Sequence, residues 1–182
     1  MRNYKERIAY KFFGWKSIPS LVITTPISLF FEKITENSQK VKKSWFKTVK
    51  IGNFGVIKIP PGKASIDVFE VLSWYDVKVI HLGFCCGISK KLNLGDLVFI
   101  KSSIIDGKEE ISVFNEIKLD KIKTVRGFTV NSVLETYENK IKLMKMKIDV
   151  SDMETGILYK KIPKSLSINV VSDCLLYTSD AA

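Results

Sequence analysis

The sequence runs Val79-Ile-His-Leu-Gly-Phe-Cys-Cys-Gly-Ile-Ser-Lys-Lys-Leu-Asn-Leu-Gly95-Asp96-Leu-Val-Phe-Ile100 through its most strongly patterned stretch. The part up to Gly83 is nearly all apolar, as in a strand buried in a parallel sheet. A loop over residues 87–94 and a second strand over residues 96–101 are predicted to follow. Glycines at the carboxyl end of a strand let a ligand approach the backbone. The stretch therefore predicts either a binding edge of an α/β sheet or a plain strand–turn–strand.

Strand and helix signals alternate on both sides of this stretch. Apolar and β-branched runs predict strands over residues 21–25, 45–51, 55–59 and 167–172, with a hairpin turn at Gly52-Asn53. Helical spacing predicts helices over residues 26–34, 64–75, 133–144 and 151–161. Such alternation is typical of an α/β sandwich around a central sheet. We expect one such domain over residues 21–173, preceded by a variable lead-in over residues 1–20 that carries aromatic anchors.

Composition excludes several classes of protein. The chain has 182 residues, 46% hydrophobic and 26% charged, which suits one globular domain and not a disordered or fibrous chain. Its net charge of +10 invites a nucleic-acid partner, but only three of the 29 basic residues are Arg, the residue that binds phosphates and base edges bidentately. The lysines are scattered, so a solvated surface explains most of them and nucleic-acid binding is disfavoured.

The cysteines and the apolar runs indicate in which cellular compartment we expect the protein. Three cysteines make no disulfide framework, and Cys85 and Cys86 are adjacent, so we interpret them as small packed residues and expect no metal site. The apolar run at residues 20–31 is too short to span a bilayer, which takes about 20 residues. No secretory signal is visible. We expect a cytoplasmic protein with no membrane partner.

Two further segments carry carboxylates. Asp152 and Glu154 flank Met153 at the start of the predicted helix 151–161, where acids are favoured by the helix dipole. Alternatively, a carboxylate here accepts hydrogen bonds from sugar hydroxyls above a soft methionine surface. Ser172-Asp173 ends the last predicted strand, where Asp173 fits either a helix N-cap or a proton donor.

In order and spacing, these segments resemble the nucleoside phosphorylase and nucleosidase superfamily, which includes purine nucleoside phosphorylases and methylthioadenosine nucleosidases. Residues 83–96 resemble the family's Gly-rich loop and Gly-Asp strand. Asp152-Met153-Glu154 resembles its Met-Glu ribose motif, and Ser172-Asp173 the Ser-Asp pair of its purine-specific branch. The resemblance covers roughly residues 20–173, the range over which these motifs are distributed. It implies a three-layer α/β sandwich with a central mixed sheet, here incomplete at the C-terminus.

The resemblance implies cleavage of the N-glycosidic bond of a nucleoside, by phosphorolysis or hydrolysis, through a ribosyl oxocarbenium-like transition state, as in purine salvage. Glu154 would bind the ribose hydroxyls, and Met153, with Asp152 beside it, would line the ribose. Asp173 would donate a proton or hydrogen bond to a ring nitrogen of a purine, and Phe84 or Phe128 would stack on the base. Gly83 would lie in the binding loop. No cofactor is implied, phosphate is a possible co-substrate, and a homo-oligomer is expected.

Three departures from the family concern its nucleophile side. His81 stands where phosphorylases carry an Arg, and Phe84 replaces a small hydroxyl residue that contacts phosphate. Residues 24–28, Thr-Thr-Pro-Ile-Ser, hold neither the phosphate-binding glycines nor the water-activating carboxylate. Arg126 is either a substitute anion ligand or a surface residue. The function is then hydrolysis with a differently activated water or nucleoside binding without cleavage. A basic nucleic-acid-binding module is a third alternative.

The last nine residues of the chain are interpreted separately from the domain. Residues 174–182, Cys-Leu-Leu-Tyr-Thr-Ser-Asp-Ala-Ala, read as the in-frame translation of a transposase-type sequencing adaptor, and such a scar is left out of fold reasoning. On this interpretation native sequence stops near residue 173 and the family's C-terminal end is missing. The alternative is a short, frayed C-terminus.

Overall fold

The computed structural model describes residues 3–38, 44–106, 109–112 and 122–174. The α-helices in these ranges are α1 (Tyr4–Phe13), α2 (Ser28–Thr35), α3 (Ile66–Ser73), α4 (Val133–Glu138), α5 (Lys140–Lys145) and α6 (Thr155–Lys161), and a 3₁₀ helix covers Gly62–Ser65. The strands are β1 (Leu21–Thr25), β2 (Lys47–Ile51), β3 (Phe54–Lys58), β4 (Lys78–Gly87), β5 (Leu97–Ile105), β6 (Glu109–Ser112), β7 (Lys123–Thr129), β8 (Val150–Asp152) and β9 (Ser165–Cys174). No helix in these ranges is long and apolar enough to cross a membrane.

The strands form one mixed sheet that closes on itself at one end. β1 lies between β3 and β4 and is parallel to both, while β2 and β3 form the predicted antiparallel hairpin. β4 continues in parallel to β9, β9 runs antiparallel to β5, and β5 and β7 are parallel. β8 then joins β7 to the last two residues of β4, so five strands complete a ring. The predicted α/β fold with a central mixed sheet is confirmed.

Helices cover both faces of the open part of the sheet. In β3, Val56 packs with Phe31 of α2, whereas the next residue, Ile57, belongs to the large core that α1, α3 and α6 share. Neighbouring residues of a strand point to opposite faces, so this alternation places helices on two sides. The arrangement is the three-layer sandwich that the resemblance implied.

The N-terminal residues contribute more to the core than the predicted lead-in suggests. Asn3 and Glu6 form a reciprocal capping box that starts α1. Phe12, Phe13 and Trp15 are buried in the same core as α3. Gly55 makes room for the Trp15 ring, because a Cβ there would lie 2.3 Å from its Cη2 atom.

The helix predicted over residues 151–161 is wrong in its first four residues. Residues 150–152 form β8, and the helix begins only at Thr155. The Asp152 carboxylate accepts hydrogen bonds from the backbone N–H groups of Glu154 and Thr155, which turns the chain from strand to helix. β6 and β7 lie where no strand was predicted. The predicted scar begins at the last described residue, and residues 175–182 lie outside the described ranges.

Candidate active site

A pocket of about 270 Å³ opens where the carboxyl ends of β4, β8 and β9 meet the residues after β1. Sheets of this kind commonly bind ligands at that edge. The pocket is lined by Pro26, Ile27, Pro61, Phe84, Cys85, Cys86, Val130, Val133, Thr136, Ser151, Asp152, Met153, Glu154, Ser172 and Asp173. It therefore combines apolar side chains with three carboxylates from two separate segments of the chain.

Glu154 is fixed in the wall of this pocket by a backbone contact. It lies just before α6, and its Oε1 accepts a hydrogen bond from the N–H of Gly62, 2.5 Å away. Gly62 has a positive φ of 61°, and a Cβ there would lie 2.8 Å from the Met153 Cε, so glycine suits both the backbone and the close approach of Met153. The Pro60-Pro61-Gly62 break thus brings an N–H group to the carboxylate.

Burial disfavours the charge on Glu154. The residue is only 5% exposed. Desolvation, helped by the nearby charge of Asp152, raises the pKa of Glu154 to about 7, although the N–H groups of Gly62 and Met153 act in the opposite direction. The carboxylate is therefore near its midpoint at neutral pH, and small changes around it alter its charge.

The contacts of Asp152 give it a structural role. It is buried, and its Oδ2 accepts the N–H of Thr155 at 2.7 Å, the N–H of Glu154 at 3.2 Å and the Thr155 hydroxyl, while Oδ1 accepts the Thr129 hydroxyl at 3.1 Å. Burial raises the pKa of Asp152, and these hydrogen bonds oppose the effect. Since its oxygens already accept four hydrogen bonds, Asp152 holds the β8–α6 turn that presents Met153 and Glu154.

Asp173 approaches the pocket from β9. Its Oδ2 accepts a hydrogen bond from the Tyr137 hydroxyl at 3.1 Å, and its Oδ1 accepts one from the Ser172 hydroxyl at 3.2 Å. Tyr137 lies on α4, whose Thr136 donates to or accepts from Ser151 at 2.9 Å. These contacts attach α4 to both carboxylate-bearing strands beside the pocket.

Phe84 also lines the pocket. It is 44% exposed, and its ring meets that of Phe30 from α2 edge to face, with centroids 5.4 Å apart. Cys85 and Cys86, interpreted from the sequence as packed residues, are both buried and both line the pocket. They share it because the pairing of β4 with β9 shifts register between them.

No protein-family model and no curated protein matches the sequence. Solved structures do match the fold. The AMP nucleosidase of Bacteroides thetaiotaomicron aligns with a TM-score of 0.71 and 17% identity over 93% of this chain and 86% of that one. The Helicobacter pylori futalosine hydrolase gives 0.69 and 16% over 86% and 88%. The Campylobacter jejuni 5'-methylthioadenosine/S-adenosyl homocysteine nucleosidase gives 0.68 and 13% over 87% and 86%. The chain has the nucleoside phosphorylase and nucleosidase fold. The resemblance stated from the sequence is confirmed at that level.

Within the nucleoside phosphorylase and nucleosidase fold, the pocket brings together five of the nine candidate site residues predicted from the sequence. They are Phe84, Asp152, Met153, Glu154 and Asp173. His81 and Gly83 lie behind this wall on β4, where the His81 Nε2 is 4.0 Å from the Glu154 Oε2. They support the pocket without lining it.

Phe128 and Arg126 lie outside the pocket. Phe128 is buried in a core with Ile88 and Leu143, so its ring does not line the pocket. Arg126 binds Glu110 through Nε at 2.8 Å and Nη2 at 2.7 Å, and its Nη1 donates to the Met146 carbonyl at 2.6 Å. These three contacts engage the guanidinium outside the pocket, where it does not serve as a substitute anion ligand of the pocket.

Several residues that line the pocket or bond to its carboxylates were not predicted from the sequence. Tyr137 and Thr136 fell in a predicted helix with no distinguishing motif, and only the fold brings them to Asp173 and Ser151. Gly62 had a detectable signal, because a glycine after two prolines breaks the chain. Its partner lies 92 residues away, and no local pattern predicts that pairing.

Proposed function

We propose that the protein hydrolyses the N-glycosidic bond of a nucleoside that carries no phosphate, with a purine as the preferred base. The proposal depends on one observation: Glu154, held by the Gly62 N–H beside Met153, lines the same pocket as Asp173. The names of the three matched structures, two nucleosidases and one hydrolase, favour water as the acceptor.

The roles follow from where charge develops in the transition state. Positive charge grows on the sugar as the bond to the base breaks, and carboxylates beside it stabilise that charge in a poorly solvated site. Glu154 accepts hydrogen bonds from the ribose hydroxyls, with Met153 as the apolar surface of the ribose site. Asp173 directs a proton or hydrogen bond to the departing purine, and Phe84 offers an exposed ring on which the base stacks.

The pocket's charge disfavours phosphate, both as co-substrate and as a 5′ substituent. Among the described residues, no Lys, Arg or His lines the pocket, whereas Asp152, Glu154 and Asp173 do. Phe84, backed by Phe30, fills the place where the resemblance put a phosphate-binding hydroxyl. Binding a phosphate there would place like charges together and desolvate an anion against aromatic carbon, and both are costly.

A nucleoside-binding protein without cleavage is the second candidate. The residues after β1 that line the pocket are Pro26 and Ile27, and neither can activate a water. Such a protein would use the same ribose and base contacts but would form no product.

By resemblance we also expect a homo-oligomer in the cytoplasm. Sedimentation velocity would test the assembly, and a single species at the 20.7 kDa of one chain would contradict it.

The test is base release from inosine, adenosine and methylthioadenosine, with and without phosphate. We expect release without phosphate, and Glu154→Ala should lower its rate by about 10²–10⁴. Glu70→Ala is the matched control, because Glu70 is bonded to Lys161 and lies outside the pocket.

Each alternative predicts a different result in the same experiments. Release that requires phosphate would favour phosphorolysis. Thermal stabilisation by a nucleoside with no product would identify the non-catalytic binder. Retention on DNA that falls steeply with salt and is unchanged by Glu154→Ala would support the nucleic-acid module instead.

A further inference from the structure

Two fully buried side chains behind the pocket each have a polar atom with no hydrogen-bond partner among the described residues. They are the His81 Nε2 and the Asn169 Oδ1, and both residues are 0% exposed. Buried polar atoms are nearly always paired, because an unmet one loses its hydration without compensation. An unpaired donor or acceptor beside a candidate site therefore calls for a functional explanation.

Both atoms border Gly83. A Cβ at Gly83 would lie 2.9 Å from the His81 Nε2 and 2.3 Å from the Asn169 Oδ1, so only glycine leaves room for the two groups. The His81 Nε2 also lies 4.0 Å from the Glu154 Oε2, while the Glu154 Oε1 is held by the Gly62 N–H. His81 thus stands next to Oε2, the oxygen of Glu154 that does not accept the Gly62 N–H.

Thr24 sets which ring nitrogen of His81 carries the proton. The buried Thr24 Oγ1 lies 3.2 Å from the His81 Nδ1, and its hydroxyl has no other hydrogen-bond partner in the part of the chain that the structure describes. Because a buried hydroxyl needs an acceptor for its proton, this geometry favours Thr24 as the donor and the His81 Nδ1 as the acceptor. The neutral ring then carries its proton on Nε2, the atom that faces Glu154 and Asn169.

We propose that His81 is a positioning residue, which directs its Nε2–H toward the Glu154 Oε2 and keeps that carboxylate oriented and charged for a sugar hydroxyl. The present separation exceeds a hydrogen bond by about 1 Å. One bridging water or a small movement when substrate binds would span it. The sugar-binding part of this proposal rests on the proposed function, whereas the coupling of His81 to Glu154 does not.

The protonation states of His81 and Glu154 determine when the contact between them affects the charge of Glu154. Burial lowers the pKa of His81 to about 4, so the ring is neutral at pH 7. Glu154 faces His81 from β4 and Asp152 from β8, and its pKa is raised to about 7. Asp152 and burial oppose ionisation of Glu154, while an N–H at Oε2 would favour it. An N–H donor therefore matters most near neutral pH.

The test compares two amides that differ only in reach. The longer His81→Gln brings an NH₂ near the position of Nε2, whereas the shorter His81→Asn reaches only the Nδ1 side, toward Thr24. Carboxyl ¹³C NMR on the ligand-free protein follows the titration of Glu154, whose signal is identified by its loss in Glu154→Gln. We expect the pKa of Glu154 to rise by about one pH unit in His81→Asn and to stay near the wild-type value in His81→Gln.

The ligand arm uses inosine. A rise of one pH unit from about 7 leaves about a fifth as much carboxylate at pH 7, so inosine should bind about five-fold more weakly to His81→Asn. The difference should nearly vanish at pH 9. A third variant, Thr24→Val, removes the hydroxyl that contacts the His81 Nδ1. Its control is Thr35→Val, which removes another buried threonine hydroxyl, the one bonded to the Phe31 carbonyl in α2.

Identical Glu154 titrations in both amide variants and the wild type would overturn the proposal, as would equal shifts in the two variants. If His81→Asn does not fold, the Thr24→Val titration measured against Thr35→Val decides, and no difference between those two overturns it. If the NMR difference is found but inosine neither binds nor reacts, the proposed function fails while the coupling of His81 to Glu154 stands.

Discussion

Replacing Glu154 by Gln should make the protein more stable at neutral pH while it removes the carboxylate needed at the candidate site. In the folded protein the pKa of Glu154 is about 7, against an ordinary value of 4.5. The folded state therefore holds this proton more tightly than the unfolded state. The stability from protonated Glu154 is fully present below pH 4.5 and is lost as pH rises to 7.

The size of the effect follows from that difference in pKa. At about 1.4 kcal/mol per pKa unit, the ionised wild-type protein loses about 3 kcal/mol above pH 7. Gln is nearly isosteric and carries no charge, and its carbonyl oxygen can still accept the Gly62 N–H. The variant should match the wild type in stability near pH 4 and exceed it by about 3 kcal/mol at pH 8, with a gradual rise between.

Urea unfolding from pH 4 to 9 measures this difference curve. His81 has the opposite slope, because its pKa is lowered to about 4 and its contribution is lost as pH falls from 6.5. Above pH 7 His81 is neutral in the folded and the unfolded protein alike, so the difference in stability at pH 8 comes from Glu154. Glu70→Gln is the control of opposite sign, because a hydrogen bond from Lys161, with a second from Trp74, lowers the pKa of Glu70. A flat curve for Glu154→Gln, or a variant less stable at every pH, would refute the reasoning.

Three further changes test other parts of the site. Gly83→Ala should destabilise the protein by about 1–3 kcal/mol in urea unfolding, because its Cβ would lie 2.3 Å from the Asn169 Oδ1, and an unchanged midpoint would contradict that packing. Tyr137→Phe should slow base release about tenfold in steady-state assays, since Asp173 loses a hydrogen bond that orients it, while an unchanged rate would separate Tyr137 from the reaction. Arg126→Ala should leave the KM for the nucleoside unchanged, and a raised KM would bring Arg126 back to the site.

The sequence predicted well those elements whose pattern is local. The apolar run through Val79 and the β-branched run at residues 21–25 are buried strands, as expected. Gly52-Asn53 joins the antiparallel pair β2 and β3. Met153 and Glu154 were identified because Asp152-Met153-Glu154 resembles a compact motif of the family. In each case, neighbouring residues alone carry the information that decides the structure.

What the sequence did not predict depends on partners that are distant in the chain. Residues 151–154 have helical spacing, but Ser151 pairs with Cys86 across the sheet, and this pairing overrides the local preference. Arg126 looked like a candidate anion ligand because it stands alone in the body of the chain. Its partner Glu110 lies 16 residues earlier on a strand that was not predicted. Tertiary contacts of this kind leave no local trace.

The charge of the chain and the charge of its pocket have opposite signs, and this contrast bears on specificity. The chain carries +10, yet the described lining of the pocket contains Asp152, Glu154 and Asp173 and no basic residue. The lysines, being outside the pocket, raise the protein's attraction for anions in general but give a bound anion no partner. The rejection of phosphate that we propose would therefore act at close range, through Phe84 and the carboxylates, and should persist at high salt because buried charges are poorly screened. Inhibition by phosphate that disappears as salt rises would instead locate the anion on the exterior lysines.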